Sequence, residues 1–97
     1  MNKMEFKVRQ VRECLLRHGH VYTARGYDME AAYVWVDGVG RCFRRQVAVV
    51  EKKEDLLPFV KYSGFVNVEA WWEVLQRFVN GQRCWVYYVF FRGNGEL

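Results

Sequence analysis

Proline is almost missing from this 97-residue chain, with Pro58 its one example. That scarcity excludes a Pro-rich linker or recognition tract, and seventeen aromatic residues beside it exclude a disordered composition. Cysteine is scarce and odd in number: Cys14, Cys42 and Cys84. Three thiols without CxxC spacing form neither a zinc motif nor a disulfide framework, so free thiols in a reducing compartment are expected. Long apolar runs are lacking as well. The longest, Cys84 to Phe91, has eight residues, against the roughly 20 that a membrane-spanning helix needs. No apolar signal-peptide core follows Met1, and the expected location is the cytoplasm, with no membrane partner.

What the chain does have is apolar mass, at 52% hydrophobic residues, in a length that fits one domain over residues 1–97. A chain of this size can bury a core without staples. Its formal charge of +4 is unevenly placed: residues 1–53 carry a net +5 and residues 54–97 a net −1. A basic first half is what a polyanion-facing surface requires.

Met4 to Arg9 alternates apolar and polar, the period of a half-buried strand. Val11, Leu15 and Leu16 recur at helical spacing, and Gly19 offers a left-handed C-cap. His20 to Arg25 reads as a second strand, ended by the polar loop 26–30. Ala31–Val36 and Val39–Val50 are β-rich and flank Asp37-Gly38, a hairpin signal, with Gly40 suggesting a bulge or close approach. Pro58 limits the segment after Glu51 to a short helix. Asn67 is an N-cap for the clearest helix, Val68 to Val79, whose apolar stripe is Val68, Trp71, Trp72, Leu75, Phe78 and Val79. Asn80-Gly81 ends it. Arg83 to Arg92 is apolar on both faces, like a central strand covered on two sides. The order β-α-β-β-β-α-α-β, with about five strands and two or three short helices, predicts an α+β domain around a mixed or barrel-like sheet.

Leu16-Arg17-His18-Gly19-His20-Val21-Tyr22-Thr23-Ala24-Arg25 resembles the helix–glycine–strand signature of ASCH domains, small β-barrels of the PUA-like superfamily associated with RNA. Tyr62 to Trp72 and the closing strand Trp85 to Phe91 also look like that family, so the likeness runs from about Phe6 to Phe91. It implies a PUA-like mixed β-barrel with a cleft above it, lined by Thr23 and Arg25 and closed by the loop before the long helix. Some members hydrolyse the acetyl amide of N4-acetylcytidine with a Lys, a Thr and a Glu. Others are described as nucleases or RNA-binding modules. Thr23 and Arg25 match the motif, whereas His20 stands at the Lys position and Ser63-Gly64 near the Glu position.

Read as chemistry, Thr23 becomes a nucleophile only with a base in hydrogen-bond reach, for which His20 is the candidate. The plainer reading is a strand threonine that packs its methyl group and binds one ligand or backbone group. Arg25, Arg41, Arg44 and Arg45 are better placed for function, because guanidinium grips phosphate bidentately and stacks on bases. Arg9, Arg12 and Arg17 extend that basic surface, or else form a solvated face. Tyr27, in its loop, is the aromatic expected to be exposed for stacking, while Tyr22, Tyr33 and Trp35 are expected to turn inward. Trp71, Trp72, Phe78 and Trp85 are expected in the core. Cys14 and His18 share a helix face near His20, but zinc needs three or four converging ligands, so neither metal nor other cofactor is expected. The sequence thus predicts a module binding RNA or a nucleotide-like ligand through a basic cleft around Thr23 and Arg25. The alternatives are a small amidohydrolase or nuclease acting on a modified nucleoside or RNA, and a protein–protein module with an acidic partner.

Overall fold

Apolar periodicity and a few caps set the element order. The computed structural model describes residues 2–79 and 83–93. It runs β1 (Asn2–Lys3), α1 (Arg9–His18), β2 (His20–Arg25), β3 (Ala32–Val36), β4 (Gly40–Val50), a 3₁₀ helix (Lys53–Tyr62), α2 (Val68–Val79) and β5 (Cys84–Gly93). The fold is α+β. Its five-stranded mixed sheet has the order β1-β3-β4-β5-β2, with β1 parallel to β3 and every other pair antiparallel. Within the ladder β1 and β2 are the two edges.

Local chemistry explains the boundaries. Gly19, at φ 78°, caps α1 by donating its N–H to the Leu15 carbonyl, and β2 starts at the next residue. Asp37-Gly38 turns β3 into β4, with Gly38 at φ 79°. Asn67 Oδ1 accepts the Ala70 N–H at 2.8 Å and so starts α2. Asp55 ties down the entry to the 3₁₀ helix by accepting the backbone N–H groups of Glu51 and Lys52. Pro58 sits inside that helix, which is ten residues long rather than a brief interrupted turn.

Four expectations need correction. Met4 to Arg9 is not a strand: β1 is only Asn2–Lys3, and Arg9 already begins α1. The alternation is nevertheless used, because Met4 is buried and Phe6 and Val8 pack against the core. Side-chain burial without a ladder partner produces the strand pattern and no strand. In α1 the buried stripe is Val11, Cys14 and Leu15, leaving Leu16 55% exposed. In α2 it is Val68, Trp71, Leu75 and Val79, while Phe78, seven residues after Trp71 and about 20° from it around the helix, is 58% exposed because it sits in the last turn beside an open cleft. The irregularity expected at Gly40 falls between Arg41 and Cys42, with a second between Gln46 and Ala48. The helix stop at Asn80-Gly81 lies outside the described residues.

Strand pairing sorts the sheet's side chains between two faces. On one face Val21, Val89, Cys42, Val34 and Val36 meet α1 and the segment Met4–Val8. On the other, Val50, Cys84 and Val86 meet α2 and the 3₁₀ helix, around Leu56, Trp71 and Leu75. Trp71 is core as expected, whereas Trp72 is half-buried against that same core and Trp85 half-buried against the core under α1. The second cover spans only part of its face: β5 is enclosed on both sides near Val86, but Tyr88 and Phe90 lie beyond the packed helices and belong to neither core. All three cysteines are free and buried. Among the described residues no helix is long and apolar enough to cross a membrane.

Candidate functional site

Strand parity decides which of the predicted residues share a site. Along β2, Val21, Thr23 and Arg25 point to one face, and His20, Tyr22 and Ala24 to the other. Register extends this across the sheet: Thr23 lies opposite Tyr87, Val21 opposite Val89, and Val89 opposite Arg44. Thr23, Arg25 and Arg44 consequently share one face. They line an open cleft of about 680 Å³ together with Tyr27, the segment Lys3–Val8 and the exposed ring of Phe78.

Two guanidinium groups dominate the cleft. Arg44 is 9% exposed and donates its Nε–H to the Glu30 carbonyl at 3.1 Å. Arg25 donates from Nη2 to the Glu5 carbonyl at 2.7 Å and sits over the Phe6 ring, 5.1 Å from its centroid. Its Nε is buried without a partner. Among the described residues neither arginine is within 4.0 Å of a carboxylate. Burial pushes the Arg25 pKa down, and the neighbouring Arg44 adds to this, against opposing contributions from Tyr27 and Glu5. A guanidinium so shifted is still a cation at neutral pH. Two partly desolvated cations without a counter-charge are costly, and an anion seated between the walls offsets that cost.

Tyr87, which the sequence offered only as part of an apolar strand, organises the rim. Its hydroxyl donates to the Tyr27 carbonyl at 2.9 Å and accepts the Met29 N–H, fixing the loop after β2. Burial raises its pKa, keeping it a neutral donor. Tyr87→Phe leaves both backbone groups without that partner. It is expected to cost about 1–3 kcal/mol and to speed amide exchange at Met29. Urea melts and hydrogen exchange measure the two effects.

Several sequence candidates lie elsewhere. His20 packs against Tyr62 and Tyr88, at ring distances of 4.6 and 5.7 Å, on the face opposite Thr23. A separation of three along a strand puts the two on different faces, so His20 cannot activate Thr23. Arg41 and Arg45 also point away from the cleft, over the rings of Tyr33 and Tyr88. Arg9 is spent on an exposed ion pair with Glu13, Arg12 lines a smaller hollow beside Val36 and Asp37, and Arg17 is exposed on the last turn of α1. Tyr33 and Trp35 do not turn inward; they are 44% and 39% exposed. Tyr27 is exposed at the cleft, as its loop suggests. Ser63, where the resemblance implies a carboxylate, is wholly buried; its Oγ donates to the Val60 carbonyl and accepts the Phe65 N–H. The sequence gives no sign of Lys7, which adds positive charge to the cleft, or of Glu5 beside it; Lys3 lines the rim, but its pairing with Trp35 turns it to the opposite face. Among the described residues no three His, Cys, Asp or Glu side chains converge as a metal site.

Comparison with protein-family models, curated proteins and solved structures returns no match.

Proposed function

We propose that this chain is an ASCH-type module of the PUA-like superfamily that binds RNA or a nucleotide-like ligand in the cleft. One observation carries the reading: Arg25 and Arg44 face the same cavity, and among the described residues no carboxylate is in ion-pair reach of either. A phosphate is the ligand group that suits such a pair, since each guanidinium presents a planar fork of donors. Lys7 adds charge, and the exposed rings of Tyr27 and Phe78 offer surfaces for a base. Thr23, 7% exposed, would hydrogen-bond the sugar or base. The cleft's place at the Thr-Ala-Arg end of β2 supports this reading, although the loop before α2 does not line it as the resemblance implies.

A second reading, hydrolysis of a modified nucleoside, keeps one support: Thr23, Glu5 and two lysines line the same cavity. Both readings are tested with one preparation. Cytidine 5′-monophosphate binding, followed by titration calorimetry at about 50 and 200 mM salt, is expected to weaken with salt. In Arg25→Gln it should fall about tenfold or more, the worth of a charged hydrogen bond. N4-acetylcytidine in the same buffer should bind without releasing acetate. Absence of saturable nucleotide binding, or equal affinity in Arg25→Gln, overturns the binding reading. Acetate release abolished by Thr23→Val replaces it with the hydrolase.

A further inference from the structure

The sheet face opposite the cleft carries an unbroken row of rings. Tyr33, Phe43, Phe90 and His20 are direct cross-strand neighbours in β3, β4, β5 and β2. Tyr33 to Phe43 is 4.9 Å between centroids and Phe43 to Phe90 is 5.8 Å. Tyr88 joins the row, 5.3 Å from Phe90. None of Tyr33, Phe43, Tyr88 and Phe90 belongs to either core.

Guanidinium groups lie over these rings. Arg41 stands 4.9 Å from the centroid of Tyr33, Arg45 5.8 Å from Tyr88 and Arg92 5.8 Å from Phe90. Among the described residues no carboxylate pairs with any of the three. Among the described strand positions parity puts no acid on this half of the face: they are Lys3, His20, Tyr22, Tyr33, Trp35, Arg41, Phe43, Arg45, Tyr88, Phe90 and Arg92. Arg41 adds an independent sign of a missing acceptor, because its Nε and Nη2 are buried without hydrogen-bond partners. An apolar core position would not keep three cations, and a purely solvated face would not keep this many rings.

We infer that this face is a second binding surface, a stacking platform for single-stranded nucleic acid. Bases would lie on the exposed ring of Tyr33 and its neighbours, and phosphates would meet Arg41, Arg45 and Arg92. Four strands at about 4.8 Å spacing give a row of roughly 14 Å, and aromatic sheet platforms of this kind stack two or three bases. An unpaired strand suits the rings better than an acidic peptide, which would satisfy the cations and leave the rings without stacking partners. The surface lies on the opposite side of the sheet from the cleft and is independent of the reading given to it.

The test uses a fluorescently labelled uridine dodecamer, with cytidine 5′-monophosphate as a probe too small to span the row. Tyr33→Ala and Arg45→Gln change exposed side chains, and thermal melts show whether each variant folds. Each is expected to weaken dodecamer binding about tenfold while leaving mononucleotide binding unchanged, and Tyr33→Trp should restore it. Loss of mononucleotide binding alone in Arg25→Gln would assign that ligand to the cleft and leave the platform standing. Wild-type dodecamer affinity in both face variants overturns the platform. So does displacement of the dodecamer by polyglutamate at equal charge, which would identify an acidic protein partner instead.

Discussion

Gly64→Ala is expected to be the most damaging small substitution in the chain. Gly64 sits at φ +89°, and a Cβ built there would lie 2.5 Å from the Gln10 carbonyl oxygen and 2.9 Å from the Val11 Cα. Those atoms are helix backbone and cannot rotate aside. The left-handed conformation costs an alanine about 1–2 kcal/mol, and overpacking against fixed backbone costs about 1–3 kcal/mol. A total of about 3 kcal/mol lowers Tm by roughly 12–24 °C in a domain of this size. Gly19→Ala is the control, since Gly19 has φ +78° but no atom within 4 Å of the added methyl; it should lose only the conformational part. Equal melting temperatures for the two variants would show that the contact with α1 is not close. The site is involved too, because α1 anchors the segment Met4–Val8 that walls the cleft.

Alkaline pH should destabilise the protein through its thiols. Burial pushes Cys42 and Cys84 each up to about 11, and for Cys84 the nearby Asp55 adds to the shift. In an unfolded chain a thiol titrates near about 8.5. The folded-state values are raised, so the contribution to stability is complete below the unfolded pKa and is lost as pH climbs toward 11. In that window the unfolded chain has given up protons that the folded chain keeps. Each thiol then lowers stability by about 1.4 kcal/mol per pH unit, on the order of 3 kcal/mol once the window is crossed. Cys14, raised chiefly by burial, acts in the same direction. Urea melts at neutral pH and at about pH 10, under reductant, should show the fall, and Cys84→Ala should make it shallower. A stability profile that stays flat across that range would contradict the burial of these groups.

Much of the architecture was readable where local chemistry and burial agree. Asn67 caps α2, Asp37-Gly38 turns the hairpin, and Gly19 divides α1 from β2, each at its anticipated place. The α+β class follows from that order. Legibility failed where one pattern serves two ends. Met4, Phe6 and Val8 alternate because they pack, not because they pair. Leu16 lies a single residue of phase off α1's buried stripe, whereas Phe78 is in phase with Trp71 and is exposed because the last turn of α2 borders the cleft. For the cleft, Thr23, Arg25 and Tyr27 were nameable from β2 and its loop. Sequence proximity groups Arg41, Arg44 and Arg45 as one cluster beside Arg25, yet Arg44 and Arg45 are adjacent on a strand and must face apart. The Lys3–Val8 wall had no sequence signal, since an irregular segment's path is set by what it lies against.

The extra residue in β4 carries a last consequence. Gln46 lies opposite Tyr87 and Ala48 opposite Val86, so Val47 has no counterpart and resets the alternation of inward and outward positions. Val47-Ala48-Val49-Val50 is apolar throughout, which hides the reset from any reading of hydropathy. One strand thereby keeps two separate registers of use. Before the reset Cys42 faces the core under α1, and after it Val50 faces the core under α2 and the 3₁₀ helix, so one strand serves both sides of the sheet.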